Sequence, residues 1–260
     1  MIKLLWHLIL YQPLANGLIG LYLLFGNLGI AIIGLTIILR LLLFPLSLPS
    51  MKAASKMKSI APKLAKLKKR YQGNPQGLAK AQMELYRQEG INPASGCLPQ
   101  ILQVLILFAL YQVFQQVLGA SDHQAIEKIN QILYPFLQLD PETTFNLSFL
   151  YLDLNQPDVI KISNLPLLPG PILLAATIVQ FISSKIMMPE VKQKEKISQK
   201  TPPVADDLAT MMQKQSLYLF PLMTLFIGFR FPSGLVLYWF VFSFFNLVQQ
   251  LLVNQQIGKT

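Results

Sequence analysis

Apolar residues run along this chain in five blocks, at 28–48, 97–118, 171–188, 215–229 and 234–253, with polar stretches between them. A helix needs about 20 mostly apolar residues to cross the hydrocarbon core of a bilayer. The pattern therefore predicts five spanning helices, at 27–50, 95–118, 170–188, 215–230 and 231–254, the fourth the shortest. "RFPSG" at 230–234 joins the last two. Pro232 and Gly234 are turn residues, so these two helices form an antiparallel hairpin.

The first 26 residues are apolar as well, behind Lys3, but Gln12, Pro13 and Asn16 interrupt them. They read either as a signal peptide or as an interfacial amphipathic helix. A small-x-small cleavage site is not evident, so the expectation is an uncleaved helix lying on the outer surface.

The polar stretches differ in sign. Residues 51–94 hold ten lysines and arginines, among them Lys56, Lys63, Lys66, Lys69 and Arg70, against Glu84 and Glu89. Residues 119–169 hold Lys128 and Lys161 against six acids, and residues 189–214 hold five lysines. Basic residues near the membrane ends mark the cytosolic side. That puts 51–94 and 189–214 in the cytosol and 119–169 outside. The N-terminus is then outside, and the short tail at 255–260 is cytosolic.

Residues 51–94 carry a helical stripe, because Met57, Ile60, Leu64, Leu67 and Tyr71 recur at spacings of three and four. "GNP" at 73–75 ends it, and Asn74 and Pro75 suit the start of a second helix. That helix should run to Glu89, with Gly90 as its stop. The expected unit is a helical hairpin of two basic amphipathic helices. It is either a solvated connector or a docking surface for anionic lipid headgroups, ribosomal RNA or substrate. Prolines divide 119–169, leaving room for one short helix at 122–133 and otherwise loop.

Composition agrees with a membrane protein: 53% of the 260 residues are hydrophobic and 13% are charged, about half the roughly 25% of soluble proteins. The net charge of +10 matters here through its location. A single cysteine, Cys97, rules out an intrachain disulfide and reads as a structural thiol. His7 and His123 stand far apart, and neither cofactor nor metal ligation is expected.

Arg40 is the outstanding residue of the spans. A cation there costs about 2.5–3.5 kcal/mol on insertion scales. It either snorkels or faces a polar cavity. Residues 41–48 place it about 12 Å from the cytosolic end at 1.5 Å per residue, near the limit of a snorkelling arginine, which favours the cavity. Gln100 and Gln103, Gln180, and Asn246 lie at similar depth in the second, third and fifth spans. Trp239, Ser243, Asn246 and Gln250 are spaced four, three and four, so they share one helical face. Singly, such groups serve as interhelical hydrogen bonds. Together they point to a hydrated groove. None of the spans holds an acid. That argues against a proton-coupled pump, and histidines outside the spans argue against a serine hydrolase.

Three motifs occur in order: "LTIILRLLLFPLSLPSMKAASKM" at 35–57, "ELYRQEGINPASGCLPQILQ" at 84–103, and "LYLFPLMTLFIGFRFPSGLVLYWFVFSFFNLVQQ" at 217–250. They resemble the YidC family of insertases, in the oxidase-assembly superfamily, with a match from about residue 11 to residue 250. The resemblance implies an all-α polytopic membrane protein with five transmembrane helices around a hydrophilic groove. The groove is closed outside and open to cytosol and lipid. The family's groove arginine matches Arg40, its polar residue in the third span Gln180, and its aromatic residue in the fifth span Trp239. The outer interfacial helix and the cytosolic hairpin also have their counterparts. The expected form is the short bacterial one, without a large outer β-domain or a lipoprotein cysteine. Its tail, "NQQIGKT", lacks the long basic run of ribosome-binding members.

The implied function is that of a membrane protein insertase and chaperone in the bacterial plasma (inner) membrane, with no enzymatic step and no cofactor. The implied partners are nascent membrane proteins, with the ribosome, the Sec translocon and anionic lipid headgroups as further candidates, and the monomer as the working unit. The competing class is a small-solute channel or transporter using the same cavity, with an outer exit past Gln112, Gln115 and Gln116. A third is an assembly factor that binds finished subunits.

Overall fold

The computed structural model describes residues 2–71, 73–92, 97–120, 123–161, 167–187 and 206–257. Helix dominates. The N-terminal run comprises α1 (Ile2–Trp6), a π-helical turn (His7–Tyr11) and α2 (Gln12–Phe25), which ends at Gly26 in the left-handed region. α3 (Leu28–Ser59) follows directly, with the Asn27 side chain accepting from Ile30 N–H as its cap.

α3 has 32 residues and runs through Pro45 and Pro49. At 1.5 Å per residue it is about 48 Å long, well beyond the roughly 30 Å hydrocarbon core. Its last two turns, with Lys52, Lys56 and Lys58, therefore project past the apolar layer. This corrects the sequence reading of the hairpin's start. Met57 belongs to α3, not to the first hairpin helix. Ile60 breaks the run, and α4 (Ala61–Arg70) begins anew with Pro62 in its first turn.

α5 (Pro75–Gln88) starts as expected, with Asn74 Oδ1 accepting from Gly77 N–H at 2.9 Å. Gly90, with φ of 64°, takes the left-handed stop. α6 (Cys97–Leu118) follows, then a short α7 (His123–Asn130) and a 3-10 turn (Pro135–Leu137). The stretch expected to be loop adds two small antiparallel hairpins: β1 (Ser148–Phe149) with β2 (Leu152–Asp153), and β3 (Val159–Ile160) with β4 (Leu168–Pro169). α8 (Pro171–Met187), α9 (Asp206–Gly228) and α10 (Ser233–Ile257) complete the chain. The loop expected at 189–214 lies outside the described residues up to 205, and from Asp206 it is already helix.

α10 is the hub, packing against α3, α8 and α6. The main core joins α2, α3, α6, α7 and α10 through Leu18, Ile32, Phe114, Ile129 and Leu237, all buried. A second, smaller core of Leu173, Ala176 and Val236 welds α8 to α10. Outward, Leu42, Ile101, Ile178 and Phe226 stand exposed on four helices. An apolar surface of this extent suits lipid, not water.

Among the described residues, four helical segments are long and apolar enough to cross a membrane: Leu4–Phe25, Leu28–Ser59, Ile101–Leu118 and Ser233–Gln256. Pro171–Ile186 and Leu217–Gly228 are shorter apolar helices. The N-terminal segment thus has the length of a span, although its sequence suggested an interfacial helix. It packs on α3 and touches α6. Trp6 Nε1 donates to Gln112 Oε1 at 3.1 Å. One of the three glutamines that suggested an outer exit is therefore taken up by an aromatic side chain of this helix.

Candidate functional site

Two sides of α10 carry the polar groups that sequence placed at mid-depth. On the side toward α3 and α6, Tyr238 and Phe242 stand four residues apart, with ring centroids 6.1 Å apart. The Arg40 guanidinium lies over the Phe242 ring, Cζ 4.1 Å from its centroid. Such a stack offsets part of the cost of a desolvated cation, by about 2 kcal/mol. Gln103 Nε2 donates to Tyr238 Oη at 2.7 Å. Three helices thus contribute one connected group: Gln103 from α6, Tyr238 and Phe242 from α10, Arg40 from α3.

Arg40 is 7% exposed, so its head does not reach out along the helix to solvent. Nε and Nη2 are buried with no hydrogen-bond partner. A guanidinium presents five N–H donors in a fixed fork. Two nitrogens of this fork thus have no partner in the fold.

On its other side α10 faces α8. Ser243 Oγ donates to Gln180 Oε1 at 2.7 Å, and Asn246 Nδ2 donates to Ser183 Oγ at 3.2 Å. Ser243 is fully buried. These two pairs, one turn apart, zip the two helices together with polar groups. Trp239 is half-buried and enters neither pair. Further along, Gln249 and Gln250 are buried, and each leaves its Oε1 without a donor, although Gln250 Nε2 bonds Asn254 at 2.9 Å.

The basic hairpin is separate from this group. α4 and α5 pack side by side, and a cleft of about 440 Å³ opens between them. Lys63, Lys66 and Arg70 edge it over a floor that includes Leu67 and Leu85. Lys63 forms an ion pair with Glu89, which ties α4 to the end of α5. Lys56 stands exposed near the end of α3, and Lys69 exposed on α4. The side chains of Cys97, Gln100 and Lys68 lie outside the described residues.

A sequence model of the family described as 60Kd inner membrane protein matches residues 20–260. The chain belongs to that family. It is accordingly an all-α, multi-pass inner membrane protein. Relatives named "Membrane protein insertase YidC" support the same assignment. One from Pelobacter propionicus is 32% identical over 97% of this chain and 40% of its own length. One from Campylobacter jejuni is 34% identical over 98% of this chain and 39% of its own. One from Fusobacterium nucleatum is 33% identical over 89% of this chain and 88% of its own. The chain spans about two fifths of the length of the first two.

Within this family member, sequence reasoning missed Tyr238, Phe242 and Ser183. An arginine in an apolar helix with no acid in reach is itself a signal for aromatic faces. Tyr238 and Phe242, at i and i+4 beside the motif "LYW", were the candidates. Ser183 stood in plain view in "QFISSK", three residues after Gln180, on the same helical face.

Proposed function

We propose that this protein inserts other membrane proteins: it moves weakly hydrophobic segments and their short outer tails from the cytosol into the bilayer. The observation that carries the reading is Arg40, a buried cation with two nitrogens lacking any partner, set in a bundle whose family relatives are named insertases.

In this reading five helices, α3, α6, α8, α9 and α10, span the membrane, with the N-terminus outside and the C-terminus in the cytosol. The α4–α5 hairpin is cytosolic and receives the nascent segment, its lysines near anionic headgroups. Arg40 supplies a positive potential in a low-dielectric site, where one charge acts strongly. An acidic or polar tail entering there meets the free guanidinium nitrogens. The amides of Gln100, Gln103, Gln180 and Asn246 and the Ser243 hydroxyl replace part of its lost hydration. The segment then leaves sideways, past Trp239, into lipid, where burial of its apolar surface drives the last step. No bond is made or broken.

The test is complementation. A bacterial host is depleted of its own insertase and given this chain, or Arg40→Ala or Arg40→Glu. Insertion of a single-span substrate with an acidic outer tail is followed by protease protection. The expected order is wild type above Arg40→Ala above Arg40→Glu. No insertion by the wild-type chain overturns the function. Equal insertion by all three overturns only the role of Arg40.

A further inference from the structure

The stretch between α6 and α8 had no role in the sequence reading. In the structure, one short part of it, residues 146–158, holds the starts of three helices. At α3, Asn146 O accepts from Leu28 N–H at 3.1 Å, and Asn27 Nδ2 donates to Ser148 O at 2.8 Å. At α10, Gln156 O accepts from Ser233 N–H at 2.8 Å and Leu154 O from Gly234 N–H at 3.1 Å. The Ser233 hydroxyl adds a bond to Asp153 O at 2.8 Å. The first N–H groups of a helix have no partner within it, and here a single segment supplies them.

The third helix, α8, is held by side chains. Leu173 N–H donates to Asp158 Oδ2 at 2.8 Å, and Ile172 N–H donates to Tyr151 Oη at 2.9 Å. The Tyr151 hydroxyl in turn donates to the Asp158 carboxylate, 3.2 and 3.3 Å from its two oxygens. Gly170 N–H donates to Asp158 O at 2.8 Å. Asp158 is 4% exposed and is the one buried carboxylate among the described residues. No cation faces it. Its charge is met by N–H groups and by the positive end of the helix dipole. A buried carboxylate is tolerated only while such bonds hold. The joint is therefore either made or hydrated, with little between.

The three helices so gathered are the ones that carry Arg40, the Gln180–Ser183 face and the Tyr238–Asn246 face. We propose that Asp158, with Tyr151, is the positioning pair that shuts the outer end of the groove, by fixing the start of α8 against α10. This rests on the reading above in one respect, that the groove opens at the opposite end. A client segment then meets a floor at the α8 start and is turned toward lipid. Loss of the pair frees α8 at that end and lets water reach the Gln180–Ser243 contact from outside.

The experiment uses the full chain in cells, with Cys97→Ser as background and Ser243→Cys as reporter. A membrane-impermeant maleimide is added outside, and the labelling rate is read. With Asp158 intact the reporter is protected. Asp158→Ala raises the rate roughly ten-fold, the factor for losing one charge-assisted hydrogen bond. Asp158→Asn keeps an acceptor for Leu173 N–H and restores most of the protection, which a generally loosened protein does not do. If Asp158→Ala does not accumulate in the membrane, Tyr151→Phe, which removes only the bridging hydroxyl, carries the comparison. An unchanged labelling rate in Asp158→Ala, or in Tyr151→Phe where that variant carries the comparison, overturns the proposal. Controls separate it from the insertase reading: Glu142→Cys is labelled from outside in every background, and Lys69→Cys in none. Were those two reversed, the orientation would be wrong, and the same comparison would be read with reagent on the other face.

Discussion

Arg40 and Phe242, 202 positions apart, meet as a cation over an aromatic face, 4.1 Å from Cζ to ring centroid. The stack compensates the charge only in part, because two guanidinium nitrogens stay buried without a bond. The local compensation of Arg40 thus falls short of what burying a cation costs.

That imbalance gives the first prediction. Arg40→Leu removes the burial cost of the cation and keeps an apolar side chain against Phe242. The variant melts no lower than wild type in detergent, with a gain of about 1 kcal/mol, while insertion of acidic-tailed clients falls. Phe242→Leu, which leaves the cation in place but removes the ring, is destabilised by about 1–2 kcal/mol. A large fall in melting temperature for Arg40→Leu would contradict this account.

The α8–α10 seam gives the second. Ser243→Ala leaves Gln180 Oε1 without its donor, and Gln180→Leu leaves the Ser243 hydroxyl without its acceptor. In a double-mutant cycle on unfolding free energy, the two couple by about 0.6 kcal/mol and by no more than about 1.7, the range of interhelical hydrogen bonds in membranes. Zero coupling would mean that the pair is not made in the bilayer.

The third concerns pH. Burial holds the Tyr151 hydroxyl above its ordinary value, at about 12, and the neighbouring Asp158 carboxylate adds to the rise. The ring is 55% exposed while the hydroxyl points inward. A raised pKa means that the folded state holds the proton more tightly than the unfolded chain, whose tyrosine titrates near 10. The contribution of Tyr151 is thus complete below pH 10 and is lost as pH rises from 10 to 12. Melting temperature should fall less steeply across that window in Tyr151→Phe than in wild type.

The fourth is steric. A Cβ on Gly170 falls on the Asp158 carboxylate, whereas a Cβ on Gly20 meets only Leu137 methyls at 3.7 and 3.8 Å. Gly170→Ala therefore forces α8 and Asp158 apart and lowers stability by about 1–3 kcal/mol. Gly20→Ala, inside a helix and in ordinary contact, is neutral or stabilising. Thermal unfolding of the two variants, side by side, decides it.

Much of the architecture was legible in the chain because it depends on neighbours. Three of the five apolar blocks lie in helices long and apolar enough to cross a membrane, "GNP" punctuates the basic hairpin at the observed place, and "RFPSG" turns α9 into α10. Each of these follows from side-chain period, length or a turn residue within a few positions. The misreadings have the same origin. Continuous helical spacing from Met57 to Tyr71 could not show that α3 runs on to Ser59 and stops, nor could prolines between 135 and 169 show which carbonyls would cap which helices.

By itself, then, the sequence determined that helices cross a membrane and that one of them carries a cation with no acid to neutralise it. Arg40 was visible there only as a charge in need of surroundings. Tertiary structure decided what those surroundings are: Phe242 beneath the guanidinium, Tyr238 linking it to Gln103, and Asp158 holding the start of the helix that bears Gln180. The physical reason is that spans are specified by local hydrophobicity, whereas partners across a bundle are specified by helix rotation and depth. Those emerge only when packing brings residues more than a hundred positions apart into contact.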